Sequence, residues 1–307
     1  MIFYKYVKWT EVKDLKILNF GSLNIDKVYS VPHFVSAGET LSSTNYEEFP
    51  GGKGLNQSIA LAKAGAQVYH GGNIGKDGLF LKDVLAEANV NVDWIEEDGS
   101  TTGHAIIQVS SSGENCILLF GGANKEITVD QINRVLENFS TDDILLLQNE
   151  INEIEYIVEK AHQKGLKIVL NPSPIDESIT NLNFSKIDYL ILNEIEAKAI
   201  TNEQTNDKIF QKLLSLNKQL KIVLTLGKAG VIYKDIVIEH RQSSYKVDTV
   251  DTTAAGDTFL GYFLIQISQH ADIKNALKIA SKAASIAVKR KGAASSIPTM
   301  KEVMESI

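Results

Sequence analysis

Short, almost wholly apolar runs alternate with helix-period stretches along this chain, and that alternation limits the folds open to it. Lys16–Gly21 (KILNFG), Asp143–Gln148 (DILLLQ), Lys167–Asn171 (KIVLN), Tyr189–Asn193 (YLILN) and Lys221–Leu226 (KIVLTL) read as strands with few polar residues. Between them, Lys53–Ala64, Thr128 to about Asn138, Glu153–Lys164 and Asp207–Leu216 carry apolar residues at three- and four-residue steps, as helices do. Thr128-Val129-Asp130-Gln131 has the form of a capping box, and Gly165 closes the helix before it. The chain ends in two helical stretches, about Gly256–Ser268 and Asp272–Lys289. Strands without polar alternation are buried on both faces, so the pattern predicts a parallel sheet covered by helices on each side.

Two stretches break the rhythm. Residues 31–49 and 92–122 have little helical period, and the second holds a strand–turn–strand pattern, Ala105–Val109, Ser110–Gly113 and Cys116–Phe120. These insertions are expected to form a small second sheet, a lid over one edge of the core. The expected division is one domain over 15–307 with that lid, preceded by an extension over 1–14. Ligands of open parallel sheets bind at the carboxyl ends of the strands. There the sequence gathers Asn24, Asp26, Glu150, Asn171, Asn193 and Gly227.

Two segments carry chemistry. Pro50-Gly51-Gly52-Lys53-Gly54-Leu55-Asn56-Gln57 sets three glycines at a helix start, either a tight turn or a loop whose backbone approaches a ligand. It lacks the spacing of a Walker A loop, and no G-x-G-x-x-G fingerprint occurs in the chain. Asp251-Thr252-Thr253-Ala254-Ala255-Gly256-Asp257 places small residues before a helix, whose N-terminal N–H groups favour an anion. Asp257 in that first turn is either a general base or a capping acid.

The net charge of −7 argues against a nucleic-acid surface, which needs clustered Lys and Arg. No apolar run approaches the roughly 18 residues of a membrane span. The single cysteine, Cys116, excludes an intrachain disulfide and suits a reducing, cytoplasmic setting. The six histidines show no metal-ligand spacing.

With these motifs in hand, the chain resembles the ribokinase family of sugar and nucleoside kinases (PfkB-type) from about Leu18 to Pro298. The Gly-Gly-Lys-Gly segment and the Asp-Thr-x-Ala-Ala-Gly-Asp segment are the family's two signatures. Thr102-Gly103, Gly122-Ala123-Asn124, Asn171-Pro172-Ser173-Pro174, Asn193-Glu194-x-Glu196 and Thr225-Leu226-Gly227 follow in family order. The resemblance implies a Rossmann-like three-layer α/β/α fold with a mostly parallel sheet and a β lid. It implies Asp257 as catalytic base and the backbone of Ala254, Ala255 and Gly256 as an anion hole. Asn24, Asp26, Gly52, Lys53, Asn56 and Glu150, with Asp257, match positions that hold the sugar. Asn193 and Glu196 match a motif tied to Mg²⁺ and phosphate, and Thr225 and Gly227 would line the nucleotide site. Asp251, Thr253, Ala287, Arg290, Gly292 and Ser296 fall where such kinases bind K⁺.

The implied activity is ATP-dependent phosphorylation of a sugar's primary hydroxyl, D-ribose to ribose 5-phosphate first. Deoxyribose, fructose, adenosine or pseudouridine are the alternative acceptors. ATP, Mg²⁺ and K⁺ are the implied cofactors, and a homodimer through the lids the implied assembly, with no nucleic-acid or membrane partner. A catalytically silent sugar-binding regulator is the rival of another class, and Asp257 argues against it. Departures are small: Ala37-Gly38-Glu39-Thr40 replaces Pro-Gly-Glu-Thr, and Ser173 replaces Ala. Asn149, next to Glu150, is expected to influence which hydroxyl pattern is accepted.

Overall fold

The computed structural model describes residues 15–97 and 101–307; the 1–14 extension lies outside them. Thirteen strands occur among the described residues: β1 (Lys16–Phe20), β2 (Asn24–Val31), β3 (Asn45–Gly51), β4 (Gln67–Ile74), β5 (Asn91–Glu97), β6 (Gly103–Ser110), β7 (Asn115–Phe120), β8 (Ile144–Gln148), β9 (Lys167–Asn171), β10 (Tyr189–Asn193), β11 (Lys221–Thr225), β12 (Val231–Lys234) and β13 (Glu239–Gln242). The helices are α1 (Lys53–Lys63), α2 (Leu79–Glu87), α3 (Val129–Leu136), α4 (Ile154–Gln163), α5 (Glu177–Thr180), α6 (Glu194–Thr201), α7 (Asn206–Leu216), α8 (Ala255–Ser268), α9 (Ile273–Ala287) and α10 (Met300–Glu305).

Nine strands form one sheet in the order β13-β12-β11-β10-β9-β8-β1-β4-β5. All pairings are parallel except β11–β12 and β12–β13 at one edge. Alternate residues of each central strand enter separate cores. Ile17, Ile144, Leu146 and Val169 pack with α1, α2, α8 and α9, while Leu18, Leu145, Leu147 and Ile168 pack with α3, α4 and α7. This is the three-layer α/β/α arrangement, and every one of these eight side chains is buried.

The second sheet has the order β3-β2-β6-β7. Its strands differ from the expected 31–49 and 92–122. β2 starts at Asn24, so the residues just after β1 already belong to the lid, whereas Asn91–Glu97 pairs with β4 as the edge of the main sheet. The physical reason is register: Asn24–Val31 runs parallel to Gly103–Ser110 for its full length and antiparallel to Asn45–Gly51.

Local chemistry explains several boundaries. Thr128 accepts the Gln131 N–H as an N-cap, but the Gln131 side chain turns to Asn73 instead of completing a capping box. Gly165, at φ 78°, follows α4 as a left-handed C-terminal residue. Asp272 caps α9 through the Asn275 N–H.

Candidate active site

The two signature segments face each other across the carboxyl ends of β1 and β8. α1 starts at Lys53, immediately after β3 leaves the lid, and its first turn lies on the Gly21–Ser22 backbone. A Cβ on Gly54 would stand 2.6 Å from the Gly21 carbonyl carbon and the Ser22 oxygen, so only glycine permits this approach. Gly52, at φ 93°, makes the turn into the helix. The octet is therefore both a tight turn and a close backbone approach.

Glu150 is fixed from two sides. Its Oε2 accepts the Lys53 backbone N–H at 2.9 Å and the Ser22 hydroxyl. Asp26, half-buried on β2, faces it; burial first, and the Glu150 charge second, push the Asp26 carboxyl up to about 7. Gly51 opposite gives it room, since a Cβ there would overlap the Asp26 carboxylate. Asn24 is buried, and its Oδ1 accepts from Asn124 Nδ2 at 2.7 Å. Burial alone would lower the Lys53 ammonium, yet Asp257, Glu150 and Glu196 hold it above its usual range.

Asp257 lies in the first turn of α8, 8 % exposed. Both hydrogen-bond partners of its carboxylate are on α1: Gln57 Nε2 donates to Oδ1 at 2.8 Å and Asn56 Nδ2 to Oδ2 at 3.4 Å. The carboxylate therefore crosses to α1 and does not cap its own helix. Ala254 is left-handed at φ 57°, which turns the chain into α8. The Ala255 N–H bonds the Thr252 carbonyl at 3.2 Å, whereas those of Gly256 and Asp257 have no protein acceptor among the described residues. In this conformation the N–H groups of Ala254, Gly256 and Asp257 are open to an anion, and of the three positions the resemblance implies only Ala255 is engaged by the protein. Space over Gly256 is open.

From that helix start a cleft of about 750 Å³ extends along Thr225, Gly227, Lys228, Ser244–Thr249 and Phe259 to α9. Thr225 and Gly227 line it together with Ala255 and Gly256. A volume of this size lies within the usual range of small-molecule sites.

Asn193 and Glu196 form a complete capping box on α6. Asn193 Oδ1 accepts the Ile195 and Glu196 N–H groups, and the Glu196 carboxylate accepts the Asn193 N–H at 2.9 Å and Nδ2 at 2.8 Å. Glu196 is buried, not a solvated helix residue, and no Lys or Arg among the described residues pairs with it.

Asp251 ties the segment before α8 to the loop after α9. Its Oδ1 accepts the Thr253 N–H at 2.9 Å and hydroxyl at 2.7 Å, and its Oδ2 accepts the Gly292 N–H at 2.9 Å. Partial burial alone would raise this carboxyl; the Thr253 and Gly292 hydrogen bonds, with Lys291 nearby, hold it below the usual range. Arg290 turns away to Glu302 at 2.5 Å, the Ala287 carbonyl accepts the Arg290 N–H, and the Ser296 hydroxyl donates to Ala293. Asp251, Thr253 and Gly292 are thus brought together; the Arg290 side chain is not part of that cluster. Asn149 also points elsewhere, its amide donating to the Pro174 carbonyl and accepting from Ser178. It packs a neighbouring loop and does not face Asp26 or Glu150.

Residues 14–300 match the model of the pfkB family carbohydrate kinases. The chain belongs to this family. As a pfkB kinase it is 36 % identical over 302 residues to a ribokinase of Haemophilus influenzae, covering 95 % of this chain and 98 % of that one. The crystal structure of ribokinase from Cryptococcus neoformans in complex with ADP superposes with a TM-score of 0.83 at 32 % identity, covering 95 % of this chain and 100 % of the other. The Arabidopsis thaliana ribokinase complexed with ribose and ATP gives 0.82 at 28 % identity, covering 96 % and 98 %. Among the described residues of this family member, no helix is long and apolar enough to cross a membrane.

Ser22, Gln57, Asn124 and Gln148 also surround the site, and none of them carries a role in the sequence reading. Gln57 and Asn124 stand inside the family motifs quoted above, a signal that was available.

Proposed function

We propose that this chain is an ATP-dependent ribokinase, converting D-ribose to ribose 5-phosphate. The observation that carries the reading is the convergence of Asp26, Glu150, Lys53, Asn56 and Asp257 beside an open helix N-terminus whose Ala255 and Gly256 line the cleft. A polyol needs several fixed acceptors and donors. Asp26, Glu150 and Asn24 would accept or share its hydroxyl hydrogens, and Lys53, Gly52 and Asn56 would close the ring of contacts.

Phosphoryl transfer asks mainly for positioning and charge stabilisation. Asp257 takes the proton of the primary hydroxyl as that oxygen bonds the γ-phosphorus. The bond to the bridging oxygen breaks and ADP leaves. The N–H groups of Ala254, Gly256 and Asp257 at the start of α8 stabilise the charge on the transferring group. Thr225 and Gly227 border the nucleotide. Glu196, a buried carboxylate in no ion pair among the described residues, and Asn193 would hold Mg²⁺, which keeps much of its water and uses one or two carboxylates beside phosphate oxygens. When bound, that ion neutralises phosphate charge. Closure of the lid would exclude water. Release of ADP measured with ribose, deoxyribose, fructose and nucleosides tests the reading. Ribose should give the highest kcat/KM; a nucleoside doing so, or sugar-dependent thermal stabilisation without turnover, would sink it.

Asp251, with Thr253 and Gly292 joined to it, fits a monovalent cation. Its carboxylate is a hard oxygen donor, and the resemblance adds the backbone of Ala287, Arg290 and Gly292 and the Ser296 loop. A cation there would stiffen the loop that presents the anion-binding N–H groups. At constant ionic strength in tetramethylammonium salts, added KCl should raise kcat and NaCl should do less. Asp251→Ala should keep basal turnover and lose the K⁺ response. Equal wild-type rates with and without K⁺ would leave Asp251 as a turn-forming residue only.

The lid supports a homodimer. β7 is an edge strand whose Ile117, Leu118, Leu119 and Phe120 are all exposed, and such an edge is ordinarily covered. Leu118→Glu combined with Leu119→Lys should yield monomers in analytical ultracentrifugation where wild type is a dimer; a monomeric wild type would refute this assembly. A reducing, cytoplasmic setting suits an ATP-consuming enzyme with an exposed thiol at Cys116.

A further inference from the structure

A line of buried side chains runs from the core to Asp257, and each link is a hydrogen bond. Asn19, Gln57, Ser58, His70 and Gln148 are at most 1 % exposed. Asn19 Nδ2 donates to the Gly54 carbonyl and to Ser58 Oγ, both at 2.8 Å. Gln148 Nε2 donates to Asn19 Oδ1 at 2.9 Å and to Gln57 Oε1 at 2.7 Å. Gln57 Nε2 donates to Asn171 Oδ1 at 3.1 Å and to Asp257 Oδ1 at 2.8 Å. These four strands and helices, β1, β8, β9 and α1, all converge on the one carboxylate.

The direction of every bond follows from the ends of the line. The Gly54 carbonyl can only accept, so Asn19 must turn its NH₂ there and its oxygen to Gln148. Gln148 must then donate, and its second hydrogen goes to Gln57 Oε1. Gln57 is left with its NH₂ towards Asp257. Ser58, accepting from Asn19, gives its own hydrogen to His70 Nδ1 at 2.8 Å. His70 therefore carries its proton on Nε2, which faces the Gly21 carbonyl at 3.2 Å. Keeping this polarity leaves the buried Gln148 Oε1 without a partner among the described residues.

The two oxygens of Asp257 are thereby unequal. Oδ1 is pinned by Gln57 at 2.8 Å, while Oδ2 has only the long 3.4 Å contact to Asn56. We infer that Gln57, held by Gln148 and Asn19, is a positioning residue that fixes Asp257 and leaves Oδ2 as the oxygen that receives the substrate proton. This rests on the reading of Asp257 as the base. Preorganised polar groups aid catalysis because they need not reorient during the reaction, and fully connected buried networks are rigid.

The test separates polarity from packing. Gln148→Glu keeps the shape but supplies at most one hydrogen where two are needed, so either Asn19 or Gln57 loses its donor. Gln148→Met keeps bulk and donates nothing. Misplacing a reacting group by an ångström costs on the order of 100-fold. Both variants should lose roughly 10- to 100-fold in kcat, with KM for ribose and for ATP within about twofold. Gln131→Met is the control: Gln131 is equally buried, bonds Asn73 and Gly72, and lies outside the line. It should lower Tm and leave kcat unchanged. All rates are measured well below each variant's Tm. If Gln148→Glu fails to fold, Gln57→Met carries the same expectation. The Gln148 variants keeping kcat within about threefold of wild type, while Tm falls as in the control, overturn the positioning role. Asp257→Asn run beside them separates the two readings. If it is inactive and the Gln148 variants are unimpaired, the positioning inference alone fails. If it is as active as wild type, the base assignment fails and takes the inference with it.

Discussion

Asp257→Asn should reduce kcat by about 10²- to 10⁴-fold, the usual contribution of a general base, while ribose still stabilises the protein against heat. The substitution keeps size and keeps a hydrogen-bonding oxygen. It removes the capacity to take a proton at the oxygen left open beside Asn56. Because Asp257 accepts from Gln57 and Asn56 and does not cap α8, the helix loses no cap. Tm should therefore shift by only a few degrees, and KM for ATP should stay near its wild-type value. Turnover within threefold of wild type would exclude Asp257 as the base. A collapse of Tm would mean that the carboxylate is chiefly structural.

The fold was legible where burial is two-sided. β8, β9, β10 and β11 are runs of Leu, Ile and Val, and their bounds fall within a residue of those read from sequence. β4 is also paired on both sides, yet QVYHGGNI hides it: His70 and two glycines interrupt the apolar run. His70 is fully buried as a hydrogen-bonded, uncharged ring, its pKa pushed down to about 4 by burial. A sequence pattern cannot tell that from a surface histidine. β2 was hidden for another reason. NIDKVYSV reads as polar alternation because one face of the lid sheet is open, and it pairs with β6 some eighty residues on. The antiparallel edge hairpin β12–β13 is four residues a side, too short to carry a period.

The site divides in the same way. Motif residues such as Lys53, Asn56 and Asp257 could be named because their spacing is fixed along the chain. Gln148 could not: it sits at the end of an apolar strand, and its function depends on Asn19 and Gln57, about 129 and 91 residues away. Asn193 and Glu196 show the opposite limit. Their N-x-x-E spacing suits a metal, and the same spacing is that of a capping box, which the structure contains in full. Spacing alone does not separate these two uses, since one helical turn produces both.

Asp26→Ala should lower kcat/KM for ribose by about 10- to 150-fold, the worth of a lost charge-assisted hydrogen bond, with KM for ATP within about twofold. The same change should make the unliganded protein more stable at pH 8. In the folded chain burial and Glu150 push the Asp26 carboxyl up to about 7, far above its value near 4 when unfolded. A raised carboxylate favours folding most below its unfolded value, and that advantage is lost as pH rises through about 7. At pH 8 the folded protein holds Asp26 charged in a place that disfavours charge, at a cost on the order of a few kcal/mol. Bound ribose hydroxyls would offset that cost by donating to the carboxylate, so ribose affinity should rise over the same interval in which the unliganded Tm falls. Two titrations from pH 6 to 8.5 check this, one of Tm without ligand and one of ribose binding, each on wild type and Asp26→Ala. The opposed slopes belong to wild type alone. If Asp26→Ala reproduces both, another group governs the pH response, and Asp26 is not the residue on which stability and sugar recognition conflict.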